Sequence, residues 1–126
     1  MEIKTFRDLI AWHKSMMLAK ETYKATSLMP DTERFGLTAQ MRRAAVSIPS
    51  NIAEGHGRQS RPDYIRFLKT ARGSLMELQT QVLLAQDLDF IRPPPNSAIC
   101  WLKWIGSCRD SYAAWKGFRT NRRPKK

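Results

Sequence analysis

Tyr64, Leu68, Ala71, Leu75, Leu78, Val82 and Ala85 fall at spacings of 4, 3, 4, 3, 4 and 3. Such a repeat returns an apolar residue to one helical face at every turn for three heptads. A chain carrying it must form a long helix over about 61–88, some 40 Å at 1.5 Å per residue. It must also bury that seam against other helices. Ser60, Pro62 and Asp63 mark the start: a cap, an early proline and an acid in the first turn. No stretch alternates with the period of a strand between hairpin turns, so the chain is expected to be all-α.

Three more helices are predicted around this one. The first covers about 5–26, with Phe6, Leu9, Ile10, His13, Met16, Met17 and Tyr23 as its apolar stripe. The second covers about 32–56, opens at Asp31 or Thr32 as N-cap, and buries Met41, Ala45, Ile48 and Ile52. Pro49 lies inside it and should kink it. Gly55-His56-Gly57 offers glycine for a left-handed C-cap. Pro93, Pro94 and Pro95 make a stiff connector. A fourth helix over about 96–118 follows, with Ala98, Trp101, Ile105, Cys108, Tyr112 and Trp115 on one face. Four amphipathic helices with short loops predict an antiparallel up-down-up-down four-helix bundle over 1–118. At 126 residues the chain suits one domain and can bury a core without metal or disulfide. Residues 119–126 lack a core pattern and are expected to be a disordered basic tail.

The charge is uneven. The formal net charge is +11. Residues 42–72 hold seven basic groups (Arg42, Arg43, Arg58, Arg61, Arg66, Lys69, Arg72) against Glu54 and Asp63. Residues 116–126 hold six (Lys116, Arg119, Arg122, Arg123, Lys125, Lys126) and no acid. The remainder is close to neutral. A surplus gathered in two zones points to a polyanionic partner, RNA or DNA first and an anionic membrane surface second. The plainer reading is a solvated face and a frayed end.

Two further patterns stand out. Gln40, Ser47, Asn51, Glu54 and Arg58 align along the second helix, and Arg66, Thr70, Gly73, Glu77 and Gln81 flank the seam of the third. With Arg43 and Ser74 they suggest a polar network between helices or subunits, or else a groove for RNA. Gly73 costs about 1 kcal/mol in a helix interior, which suggests a close neighbour there. Trp12 and Trp104 flank their stripes, and with Trp115 they are candidates for a subunit interface.

Several chemistries are excluded or disfavoured. The first residues lack an apolar signal region, and no run of 18 apolar residues occurs, so neither secretion nor a membrane span is expected. Cys100 and Cys108 would lie about 12 Å apart on one helix, too far for a disulfide. They read as free thiols in the cytoplasm. No P-loop, zinc pattern or other cofactor site is present. Asp87 and Asp89 read as solvated acids at a helix end.

The segments Phe6, Asp8-Leu9, Trp12, Glu33-Arg34-Phe35-Gly36-Leu37, Gln40 and Arg42-Arg43-Ala44 carry a resemblance. So do Ser47-Ile48-Pro49-Ser50-Asn51-Ile52-Ala53-Glu54-Gly55, Arg58, Ser60, Phe67-Leu68, Ala71-Arg72-Gly73-Ser74-Leu75 and Glu77-Leu78. Over about residues 5–90 the chain resembles the bacterial four-helix bundle proteins encoded in intervening sequences of 23S ribosomal RNA genes. The accessory variability determinants of diversity-generating retroelements are related to that family. The resemblance implies a homopentameric bundle without established catalytic activity. In the retroelement branch it implies binding to nucleic acid and to a reverse transcriptase.

The expected function is therefore a non-enzymatic, homo-oligomeric nucleic-acid-binding or adaptor protein. Arg58, Arg61, Arg66, Lys69, Arg72, Lys116, Arg119, Arg122, Arg123, Lys125 and Lys126 would contact phosphate. One alternative is an intervening-sequence scaffold protein that binds no nucleic acid. A second starts from Arg7 and His13, whose spacing resembles the motif of HEPN ribonucleases. There His13 would be the general base and Arg7 would stabilise the phosphorane. His13 also falls on the apolar stripe, where a packed core histidine is the simpler assignment.

Overall fold

A computed structural model of the chain describes residues 3–91. Among the described residues the chain is all-α, with no strand. The described residues form three α-helices: α1 (Ile10–Thr26), α2 (Leu37–Gly57) and α3 (Arg61–Asp87). Short 3-10 turns, Phe6–Asp8 and Asp31–Glu33, precede α1 and α2. α2 packs on both α1 and α3, and its antiparallel register is fixed at each side. Thr26 on α1 meets Arg42, and Ser74 on α3 meets Ser47. The expected fourth helix, 96–118, and the tail lie outside the described residues.

The α2 and α3 stripes are buried as their periodicity requires. Met41, Ala45, Ile48 and Ile52 line the core side of α2; Ala71, Leu75, Leu78, Val82 and Ala85 line that of α3. Tyr64 and Leu68, at the start of the seam, are half-buried. α2 runs unbroken through the buried Pro49. The proline ring removes one donor from the helix ladder. In the same turn Ser50 Oγ donates to Val46 O (2.7 Å) and Asn51 Nδ2 to Ser47 O (2.7 Å), adding side-chain bonds to carbonyls there.

The first helix departs from its expected form in two ways. It does not run from 5 to 26. Thr5 and Asp8 close a capping box on the 3-10 turn, where Asp8 accepts from the amides of Lys4 (2.9 Å) and Thr5 (3.0 Å). These bonds hold the Asp8 carboxyl below its ordinary pKa. Leu9 is then extended and buried, so α1 begins only at Ile10. The expected stripe is also only partly inward: Leu9 is buried and Phe6 and Met16 are half-buried, but the other four residues face solvent. Ile10, His13, Met17 and Tyr23 are exposed, whereas Ser15, Leu18, Ala19, Thr22 and Thr26 are buried. The hydroxyls make this possible by donating to their own helix: Ser15 to Trp12 O, Thr22 to Leu18 O (both 2.8 Å), and Thr26 to Thr22 O (2.7 Å). A buried hydroxyl with a partner costs little, and its small size lets α1 close on α2.

Three turn expectations are corrected as well. α2 starts at Leu37, not Asp31 or Thr32, because Asp31–Glu33 form a 3-10 turn and Glu33 Oε2 accepts the Leu37 amide (3.1 Å). No described glycine has positive φ, and the left-handed residue after α2 is Gln59, at φ 56°. Among the described residues the close approach expected at Gly73 is found at Gly55 instead. A Cβ on Gly73 would meet none of them within 4 Å, but one on Gly55 would lie 2.6 Å from Phe67 Cβ.

Candidate nucleic-acid interface

The α2–α3 corner gathers Arg58, Arg61 and Arg66 of the basic middle zone. Arg58 caps α2 through its amide, which donates to Glu54 O at 3.2 Å. Left-handed Gln59 and extended Ser60 reverse the chain within three residues, and Arg61 opens α3. Ser60 holds the N-cap position without a side-chain capping bond. The turn is tight because Gly55 leaves room for the Phe67 and Tyr64 side chains of α3 against α2. Arg58, Arg61 and Arg66 are thereby placed, all exposed, at one end of the bundle. Lys69 and Arg72, also exposed, follow Arg66 along α3 at three-residue intervals. The remaining phosphate-contact candidates, Lys116, Arg119, Arg122, Arg123, Lys125 and Lys126, lie outside the described residues.

The corner arginines are only lightly committed. Arg58 Nη2 lies 3.4 Å from Glu54 Oε1, and Arg66 Nη2 lies 3.3 Å from Asp63 Oδ1. Exposed pairs of this kind contribute about 0–1 kcal/mol and are screened by salt, so an incoming phosphate can displace either carboxylate. Arg58 and Arg66 also place their guanidinium carbons 5.4 and 5.1 Å from the Phe67 ring centroid. Beneath them His56 meets Tyr64 edge to face at 6.2 Å. Burial pushes the Tyr64 hydroxyl up to about 12, so it stays protonated at neutral pH.

The far end of the bundle has the opposite balance. Asp31, Glu33, Asp87 and Asp89 stand there with Arg34 as the basic neighbour in the α1–α2 connection. The near end adds Lys4, ahead of the 3-10 turn that packs against α2, and Arg7 together with Asp8 on that turn. Among the described residues the charge is thus graded along the helix axes, positive at the α2–α3 corner.

The other predicted site residues are only partly brought together. Ser47 Oγ and Ser74 Oγ share a hydrogen bond across helices at 2.8 Å, and Asn51 Nδ2 joins Ser47 Oγ at 2.9 Å. Glu54 pairs with Arg58, and Glu77 accepts from Gln81 at 3.2 Å, each within its own helix. Gln40 and Arg43 are exposed beyond that link. Trp12 is half-buried and meets Phe6 edge to face at 5.2 Å, while Trp104 and Trp115 lie outside the described residues. Arg7 and His13 occupy different elements, separated by extended Leu9. His13 is an exposed residue edge-on to Trp12 at 5.3 Å rather than a core histidine.

Two residues outside the predicted set prove to be structurally placed. Phe67 sits between the arginines; its signal was an aromatic inside the basic zone. Arg42 donates from Nε to Thr26 Oγ1 at 2.8 Å and lies over Tyr23 at 4.6 Å, which ties α1 to α2. Nothing local in the sequence joins positions so far apart. Among the described residues no group of three or more His, Cys, Asp or Glu side chains is placed to hold a metal ion. No helix among them is long and apolar enough to cross a membrane.

The model of one protein family, described as 23S rRNA-intervening sequence protein, matches residues 7–99. The chain belongs to that family. The match spans all three described helices and so takes in both the Ser47–Ser74 link and the basic corner. No curated protein matches this family member.

Proposed function

We propose that this 23S rRNA-intervening sequence protein is a non-enzymatic, homo-oligomeric nucleic-acid-binding adaptor. The observation that carries the reading is the exposed arginine corner, Arg58, Arg61 and Arg66, at the more positive end of the described helices. Residues 116–126 extend the same chemistry, with six basic groups and no acid. Phosphate contacts of this kind release counterions, so affinity depends on salt more than on sequence.

The four-helix architecture belongs to this proposal. α1 and α3 both pack on α2 and barely touch each other, which is the relation of diagonal helices in an up-down-up-down bundle. Residues 96–118, with an apolar face from Ala98 to Trp115, supply the fourth corner. A competing reading, a scaffold without nucleic-acid affinity, draws on one specific observation. Ile10, Met17, Leu28 and Phe35 are 65–89% exposed, which suits a protein interface.

Fluorescence anisotropy separates the readings. Labelled structured RNA and duplex DNA are titrated at two salt concentrations with the full chain and with a chain ending at Trp115. The adaptor gives affinity that falls with salt, drops without the tail and leaves the probe intact. Absence of binding at low salt overturns it in favour of the scaffold. Shortened RNA overturns the non-enzymatic part and brings Arg7 and His13 back for substitution.

A further inference from the structure

Phe67 collects two guanidinium groups from two different helices. Arg58 comes from the end of α2 and Arg66 from the second turn of α3, and their guanidinium carbons stand 5.4 and 5.1 Å from the ring centroid. The ring itself is anchored. Its Cβ and Cγ face Gly55, where a Cβ would lie 2.6 and 3.3 Å away, so the aromatic sits at a close contact between α2 and α3. Two flat cations are thus held near one another by a fixed platform, on an exposed corner. Their side chains are 53% and 67% exposed. Each uses Nη2 on a neighbouring carboxylate, and a guanidinium carries five N–H donors.

We infer that this corner binds single-stranded nucleic acid, RNA or DNA, with Arg58 and Arg66 taking phosphate through their free donors and stacking unpaired bases on their planes. Phe67 is the positioning residue that keeps the two planes together. The inference rests on the nucleic-acid reading above and adds the place and the form of the ligand. A duplex keeps its base faces stacked inside and offers this corner phosphate charge alone. A single strand offers phosphate and exposed base faces together, and guanidinium planes engage both. Lysine in the same positions supplies the charge without the plane.

That distinction sets the test. The full chain is titrated by anisotropy against a labelled single strand of about a dozen nucleotides and a duplex of equal length, at one low salt concentration. In the variant combining Arg58→Lys and Arg66→Lys, single-strand affinity falls about tenfold while duplex affinity changes less than about twofold. Phe67→Leu lowers single-strand affinity about threefold, and Phe67→Tyr retains it. Circular dichroism confirms equal helix content. If Phe67→Leu does not fold, the two exposed arginine substitutions decide alone. Equal losses on single strand and duplex, or no loss on either, overturn this inference and leave nucleic-acid binding standing. Failure of the unmodified chain to bind either probe overturns both.

Discussion

Among the described residues α2 packs on two α-helices, and it is joined to them by different means. Against α3 it meets an apolar seam, with Ala71, Leu75, Leu78 and Val82 at no more than 1% exposure, and a glycine contact at Gly55. On α1 the buried face is Ser15, Thr22 and Thr26 at no more than 2% exposure, with Leu18 and Ala19 between them, and Thr26 bonds to Arg42 of α2. The first contact follows from burial of apolar area at heptad spacing. The second follows from hydroxyls that satisfy themselves on their own helix and can therefore face inward like small apolar groups. Helix packing needs a face without unmet polar demand; apolar residues are one way to make it.

The largest effect is expected where the apolar seam is thickest. Leu78, fully buried on α3, leaves a cavity when replaced by alanine. Leu78→Ala should cost about 2–5 kcal/mol in urea unfolding, depending on how far the site collapses. A cost below about 1 kcal/mol would mean that α3 is not held by this seam.

The two glycines sharpen the comparison from opposite sides. Gly55→Ala forces a methyl group against Phe67 Cβ, which belongs to the start of the α3 side chain and cannot swing away. A destabilisation of about 1–3 kcal/mol is expected, with loosening of the arginine corner. Gly73→Ala meets open space on an exposed helical face and should stabilise the protein by about 1 kcal/mol through helix propensity. Thermal unfolding of the two variants side by side checks both signs, and a loss at Gly73 would show that something outside residues 3–91 covers that face.

The same pair shows what the sequence could and could not convey. The seam on α3 and the stripe on α2 were legible because heptad spacing states which face is buried, whatever the partner is. The Ser47–Asn51 stripe was legible for the same reason, as a helical row of polar residues. Gly73 was misjudged because glycine in a helix reports a cost, not the position of a neighbouring backbone. Only the packed structure shows that Phe67 approaches Gly55. Phe67 escaped notice as a site residue because its meaning comes from Arg58, nine positions away across a turn. The turn itself rests on Gln59 in a left-handed conformation, which the adjacent glycines concealed.

α1 was misread for a reason that can itself be tested. A pattern of apolar positions assigns serine and threonine to water, so it turned α1 toward Ile10, Met17 and Tyr23 and away from Ser15, Thr22 and Thr26. Thr22→Val keeps the shape of the buried side chain and removes its hydroxyl. The Thr22 hydroxyl donates to Leu18 O, a carbonyl within the helix, and Thr22 itself is fully buried. Its removal therefore loses one local bond and no bond to α2. Gain in apolar burial offsets that loss, and the net change should stay within about 1 kcal/mol. Thr26→Val is the contrasting case, since Thr26 Oγ1 also accepts from Arg42 Nε at 2.8 Å. There the substitution leaves a part-buried guanidinium without its acceptor, and a cost of about 1–3 kcal/mol is expected in the same urea titration. Equal effects at the two positions would mean that the hydroxyls act alike, and that the α1–α2 contact does not depend on the one bond that crosses it from Arg42.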